Sequence, residues 1–153
     1  MASSSDRIEK QIEIDAPVSR VWQAITDYRE FGEWFRVSLE SPFVEGQKTA
    51  GNMTNRGYEK FRLEVLVKSI VPESHFSYYW HPYAIDLSRD YSGEPMTLVE
   101  FNLAPTDTGT LLTISESGFD AIPAERRDEA YRMDTKGWEA QINNIKRHVT
   151  GNA

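Results

Sequence analysis

Apolar and polar positions alternate from Arg7 to Ile14: Ile8, Ile12 and Ile14 share one parity with Lys10, the pattern of a half-buried strand with a charged edge. Pro17 then suits the first turn of a helix, where its missing N–H breaks no bond. Val18, Val21, Trp22 and Ile25 follow at i, i+3, i+4 and i+7 as one apolar stripe. Asp27 ends that helix, and the aromatic-rich YREFGEWF predicts one helical turn on each side of Gly32.

From 37 to 117 the pattern is nearly all strand. Val37–Ser41, Lys48–Asn55, Phe61–Val71, His75–His81, Thr97–Ala104 and Thr110–Ser117 are separated by turn chemistry, which predicts an antiparallel meander. Phe61, Leu63, Val65 and Val67 share a face while Ile70 has the opposite parity, so a bulge near Lys68 and Ser69 is expected to bend the sheet. A long helix runs from Pro123 to Val149, acidic at its start, basic at its end, with Gly151 beyond. Tyr131, Trp138, Ile142, Ile145 and Val149 give it an apolar face. Gly137 costs that helix about 1 kcal/mol against alanine, which suggests close approach to something bulky on the sheet. Residues 1–6 read as a disordered terminus and 7–150 as one domain.

Composition narrows the partners. The chain has 153 residues, no cysteine and a net charge of −7, which excludes disulfides and thiolate chemistry and disfavours nucleic acid and anionic membrane surfaces. No apolar run approaches a membrane span, and the opening MASSSD lacks a secretion signal, so the expected location is cytoplasmic.

The segments IDAPVSRVWQAITD, Trp34-Phe35, VKSIVPESHFSYYW, TLVEFNLAPTDTGTLLTISESGF and GWEAQINNIKRHV resemble the START-like (SRPBCC) superfamily in its own order, from about Ile8 to Val149. More narrowly, the chain resembles the branch related to the C-terminal domain of the activator of heat-shock-protein-90 ATPase. The resemblance implies an α+β helix-grip fold: a curved antiparallel sheet of about seven strands wrapped on the C-terminal helix, with two short helices after the first strand. Relatives hold a cavity between sheet and helix, and some bind lipids, polyketides or flavonoid-like molecules there. The connection over 82–95 departs most from the family.

Nucleophile elbows, phosphate loops and H-E-x-x-H pairs are all missing, and the three histidines are scattered. His148 reads as a solvated partner of the helix dipole; His75 and His81 share the outer parity. No metal, cofactor or catalytic residue is assigned. Strand parity points Glu116 inward with Leu112 and Ile114, where a carboxylate must be paired or hydrated. Its expected place is the mouth, paired with a helix residue. Asp134, one turn before Trp138, is the second polar candidate. The inner aromatics are Phe76, Tyr78 and Trp80 on one strand, Phe101 on the next, and Tyr131 and Trp138 on the closing helix. Together with Trp34, Phe35, Glu116 and Asp134 they form the expected ligand-binding set. Trp22 is expected to pack core at the closed end, while Trp34, Phe35, Tyr78 and Trp80 wall the chamber.

Three functions follow. The first is a module binding a hydrophobic or aromatic small molecule. The second, implied by the resemblance, is a co-chaperone-like regulator whose partner is a chaperone and whose role lies in the stress response. The relatives that activate the ATPase also draw on an N-terminal domain, and this chain has room for the C-terminal-like one. The third is a cyclase, dehydratase or hydrolase using Glu116 or Asp134, though the missing catalytic signatures point away from an enzyme.

Overall fold

The alternation at the start of the chain forms β1 (Arg7–Ile14), with Ile8 and Ile14 buried and Lys10 half-buried. The computed structural model describes residues 6–151. Of the terminus expected to be disordered, residues 1–5 lie outside the described residues, whereas Asp6 is anchored. Its carbonyl accepts from the Gly118 N–H at 3.2 Å and its carboxylate from the Asp120 N–H at 3.0 Å.

Pro17 precedes α1 (Val18–Thr26), whose buried face is Val21, Ala24 and Ile25. Trp22 lies on the flank of that face and is half-buried, not the closed-end core residue its spacing suggests. Asp27 both ends α1, through its N–H to the Gln23 carbonyl, and caps α2 (Tyr28–Phe35). Its carboxylate accepts from the Arg29 and Glu30 N–H groups, satisfying two of the unpaired donors at a helix start. The second helix is continuous through Gly32 instead of breaking there. The chain reverses at Arg36, in the left-handed region at φ 72°, and runs back so closely that a Cβ on Gly32 would lie 2.3 Å from the Val37 carbonyl oxygen. Glycine is needed there for space, not for flexibility.

Six further strands complete the sheet: β2 (Val37–Leu39), β3 (Lys48–Met53), β4 (Arg62–Val71), β5 (His75–Trp80), β6 (Thr97–Pro105) and β7 (Thr110–Ser117). All neighbours are antiparallel, in the order β1-β7-β6-β5-β4-β3-β2. The β4–β5 register shifts between Val67 and Ser69, where the broken parity predicts a bulge. Strands β2 and β3 stop two residues earlier than their composition suggests, and β5 stops at Trp80, one residue before His81.

A short turn of tighter helix (Phe119–Ala121) leads into α3 (Ala124–Thr150), which buries Ala130, Trp138, Ile142 and Ile145. The sheet curls around α3 in the helix-grip arrangement, and α3 packs most closely on β1. No helix among the described residues is long and apolar enough to cross a membrane. His148 is not solvated at the helix end: its Nε2 lies 2.8 Å from Glu30 Oε1, and Arg20 reaches the same oxygen at 2.7 Å. These contacts tie the end of α3 to α1 and α2.

Candidate functional site

Alternation along β7 sends Leu112, Ile114 and Glu116 inward, and Glu116 is fully buried. Its Oε2 accepts from the Trp80 indole N–H at 2.8 Å and the Thr97 hydroxyl at 2.5 Å; its Oε1 accepts from the Trp138 indole N–H at 2.8 Å. Indole nitrogens only donate, so these contacts fix Glu116 as the acceptor. The expected partner on the helix is present, but the carboxylate is enclosed between β5, β6, β7 and α3 instead of reaching the mouth.

Asp134 sits one helical turn before Trp138, on the helix that meets Glu116 through the Trp138 indole. Its buried Oδ2 meets no donor. Burial pushes its carboxyl well above the usual range, and the charge of Glu116 and the hydrogen bond to it push the same way, against a weaker pull from Arg126. The Tyr78 hydroxyl, buried and without a partner, is likewise pushed up, first by burial and then by Glu116 and Asp134.

Two clefts meet at Trp80 and Asp134. The larger, about 410 Å3, opens between the β3–β4 connection and the 82–95 loop and is walled by Met53, Tyr58, Phe61, Leu63, Tyr83 and Ile85, with Trp80 and Asp134 among its lining. The smaller, about 130 Å3, runs along α3 between Phe35, Trp80, Asp134, Gly137, Trp138 and Gln141. Trp80 and Asp134 belong to both. Gly137 does not mark a close approach: a Cβ there would meet nothing within 4 Å. It opens the smaller cleft instead. A salt-bridged latch holds the loop in place. Glu94 accepts from Arg126 Nε at 2.9 Å and Arg89 Nε at 2.8 Å, and Arg126 also donates to the Pro82 carbonyl at 2.7 Å.

Of the residues the sequence singles out, Trp80, Asp134, Glu116, Trp138 and Phe35 come together here, with Tyr78 just beneath. Trp34 is buried between the first two helices and the core, its indole N–H bonded to the Ala24 carbonyl at 2.8 Å. Phe76 and Phe101 stack at 5.7 Å in solid core. Tyr131 lies on the β1 side of α3, its hydroxyl donating to the Arg7 carbonyl and its ring against Phe119. His75 is on the outer face beside Asn102. His81 is not simply outward: past the end of β5, parity no longer applies, and the ring lines the larger cleft with Nε2 3.1 Å from the Glu94 carbonyl oxygen. Sequence reasoning misses the outer wall. Its signal is the recurrence of Tyr83, Ile85, Leu87 and Tyr91 along that connection.

The sequence profile of the Activator of Hsp90 ATPase homolog 1-like protein family matches residues 15–150, nearly the whole chain. The chain belongs to that family. No protein of curated function matches it. Among solved structures, protein MLL2253 from Mesorhizobium loti is 22% identical with a TM-score of 0.75, over 96% of this chain and 98% of that one. A protein from Arthrobacter aurescens is 21% identical with a TM-score of 0.78, over 97% and 88%. DynU16, a protein of the dynemicin biosynthetic locus, is 22% identical with a TM-score of 0.72; this chain is covered over 95% and spans about half of DynU16, 47%. At these identities the likeness is one of fold, the helix-grip architecture.

Proposed function

We propose that this protein is a small-molecule binding module that holds a flat, largely apolar ligand in the cleft between the β3–β4 connection, the 82–95 loop and α3. The observation that supports this best is the larger cleft itself. At about 410 Å3 it falls within the usual range of about 300–1,000 Å3 for small-ligand sites, and it combines apolar walls with one acid, Asp134, in its lining. Tyr58 and Ile85 stay 53% and 44% exposed along it, apolar surface that an occupant would cover. Trp80 offers an indole to stack against.

A panel of flat aromatic and fatty ligands, read by tryptophan fluorescence and thermal shift, tests the proposal. Binding should quench or shift the tryptophan signal and should be lost in Ala84→Trp, which puts bulk into the cleft from an exposed loop position. A panel that moves neither signal overturns the reading.

The family match favours a second reading, regulation of a chaperone ATPase. Its check is a titration of the protein against the cognate chaperone: neither stimulation nor binding removes it. The raised Asp134 carboxyl favours a third, acid–base catalysis, with Asp134 and not the enclosed Glu116 as the proton donor. An NMR titration placing the Asp134 carboxyl in the ordinary carboxylate range would dispose of that.

A further inference from the structure

We propose that a further cavity, between α2 and the β2–β3 edge of the sheet, is a binding site for a small phosphate dianion, free or esterified. It measures about 470 Å3 and shares no lining residue with either cleft described above. The inference stands apart from the binding-module reading.

Arg29 and Arg36 lie two helical turns apart, in the first turn and at the C-cap of α2, and both line this cavity. Among the described residues neither guanidinium has a carboxylate partner, whereas Arg20, Arg62, Arg89 and Arg126 each have one. Arg29 rests over the Tyr28 ring, 5.1 Å from its centroid. Glu33 is the one acid in the lining, and its carboxylate lies 3.6 Å from the His148 Nδ1 on α3. The hydroxyls of Ser38 and Thr54 add donors. The start of α2 is already taken, since Asp27 accepts from the Arg29 and Glu30 N–H groups. The site therefore rests on side chains.

The backbone of Arg36 is an independent observation. It sits at φ 72° and ψ 53°, the left-handed position that usually falls to glycine at the end of a helix. A Cβ is strained there. Glycine would close α2 at lower cost, and among the described residues the Arg36 side chain has no ion pair to offset the strain. Strain of this kind persists where the side chain serves a site, and this one lines a cavity.

Two guanidiniums match a dianion in charge, and their planar forks match phosphate oxygens. The net charge of −7 disfavours a polyanion, which spans the whole surface. A small ion meets the local pair instead, because charges beyond about 10 Å are largely screened at 0.1 M salt.

Calorimetry at low salt and a pH of about 8, where phenyl phosphate is a dianion, tests the site. One ion should bind per chain. Tighter binding of phenyl phosphate than of inorganic phosphate would identify an ester as the ligand, and equal binding the free ion. Arg29→Gln and Arg36→Gly should each weaken binding about tenfold or more, the worth of one charge-assisted hydrogen bond. Arg36→Gly should also raise the melting temperature, because glycine takes up the left-handed backbone without strain. Ala84→Trp, which fills the other cleft, should bind phosphate as the wild type does. Failure of both phosphates to bind would overturn the inference, as would undiminished binding in the Arg29→Gln, Arg36→Gly double variant. An Arg36→Gly protein that melts lower would make the arginine a structural cap and overturn it too.

Discussion

The concave face of the sheet has two ends built on opposite terms. At one, Phe31, Phe76 and Phe101 interlock with Trp34 and Phe43, ring centroids 4.6 to 5.7 Å apart across neighbouring pairs. All five are buried. At the other, the aromatic rings of Trp80 and Trp138 serve an acid pair, and open space begins beside them at Gly137. The first end is held by ring-on-ring contact, its one indole N–H answered by the Ala24 carbonyl. The second is held by a carboxylate whose oxygens are bonded on all sides, and it is where the domain stays unfilled. Bulk aromatic content is the same signal at both ends; what separates them is whether a buried carboxyl group has to be satisfied.

Truncation breaks this comparison most strongly. Phe101→Ala should lower stability by about 3–5 kcal/mol, by transfer and cavity formation, and Phe101→Leu should recover much of it. Glu116→Ala should cost about as much for another reason: it strands two indole N–H groups and the Thr97 hydroxyl. Glu116→Gln should rescue little, because its amide NH2 would face an indole donor. Urea denaturation of the four variants measures the contrast. Equal rescue by both conservative changes would mean that the acid end is ordinary packing.

The fold was readable because it rests on period. Alternation of β7 and the stripe of α3 reach the structure intact, as does the bulge at Lys68, which breaks parity where the β4–β5 register shifts. The site was readable only in part. Parity finds Glu116 and helical spacing places Asp134 near it, yet neither reveals that burial and Glu116 push the Asp134 carboxyl upward, since that depends on packing across two elements. Fraction of burial is also invisible to a stripe. Spacing makes Trp22 core and Tyr78 wall, whereas Tyr78 is fully buried and Trp22 half-buried. The cleft wall from the 82–95 loop carries no period at all.

The proton on Asp134 sharpens the comparison through pH. The folded state holds that proton above the ordinary value of 3.8, so the unfolded chain binds fewer protons as pH rises through the window. The contribution of Asp134 is therefore fully present below the unfolded value and is lost as pH climbs toward the raised folded one, with a slope no steeper than one proton, about 1.4 kcal/mol per pH unit. Asp134→Asn should flatten that part of the stability curve and leave the Phe101 variants' pH profile untouched. An identical slope in wild type and Asp134→Asn would mean that Asp134 titrates normally.

Smaller again is the reversal of the two flanking aromatics. Trp22→Ala should cost about 1–2 kcal/mol, in keeping with a side chain that keeps part of its surface in water, while Tyr78→Ala should approach the loss at Phe101. Equal losses measured in urea would place Trp22 back in the core.

The smallest change tests the open end directly. Gly137 lies in mid-helix, where glycine disfavours α3 by about 1 kcal/mol relative to alanine. A glycine kept for close packing would clash when given a Cβ, as Gly32 would against the Val37 carbonyl. Gly137 meets nothing within 4 Å, so Gly137→Ala should stabilise the domain by about 0.5–1 kcal/mol and raise its melting temperature. Gly32→Ala should do the opposite. The same methyl protrudes into the cleft shared by Phe35, Trp80 and Trp138, so ligands that reach past Trp80 should bind Gly137→Ala more weakly while naphthalene, small enough for the outer cleft, should not. A destabilised Gly137→Ala would mean that α3 does pack tightly there and that the smaller cleft is closed in solution.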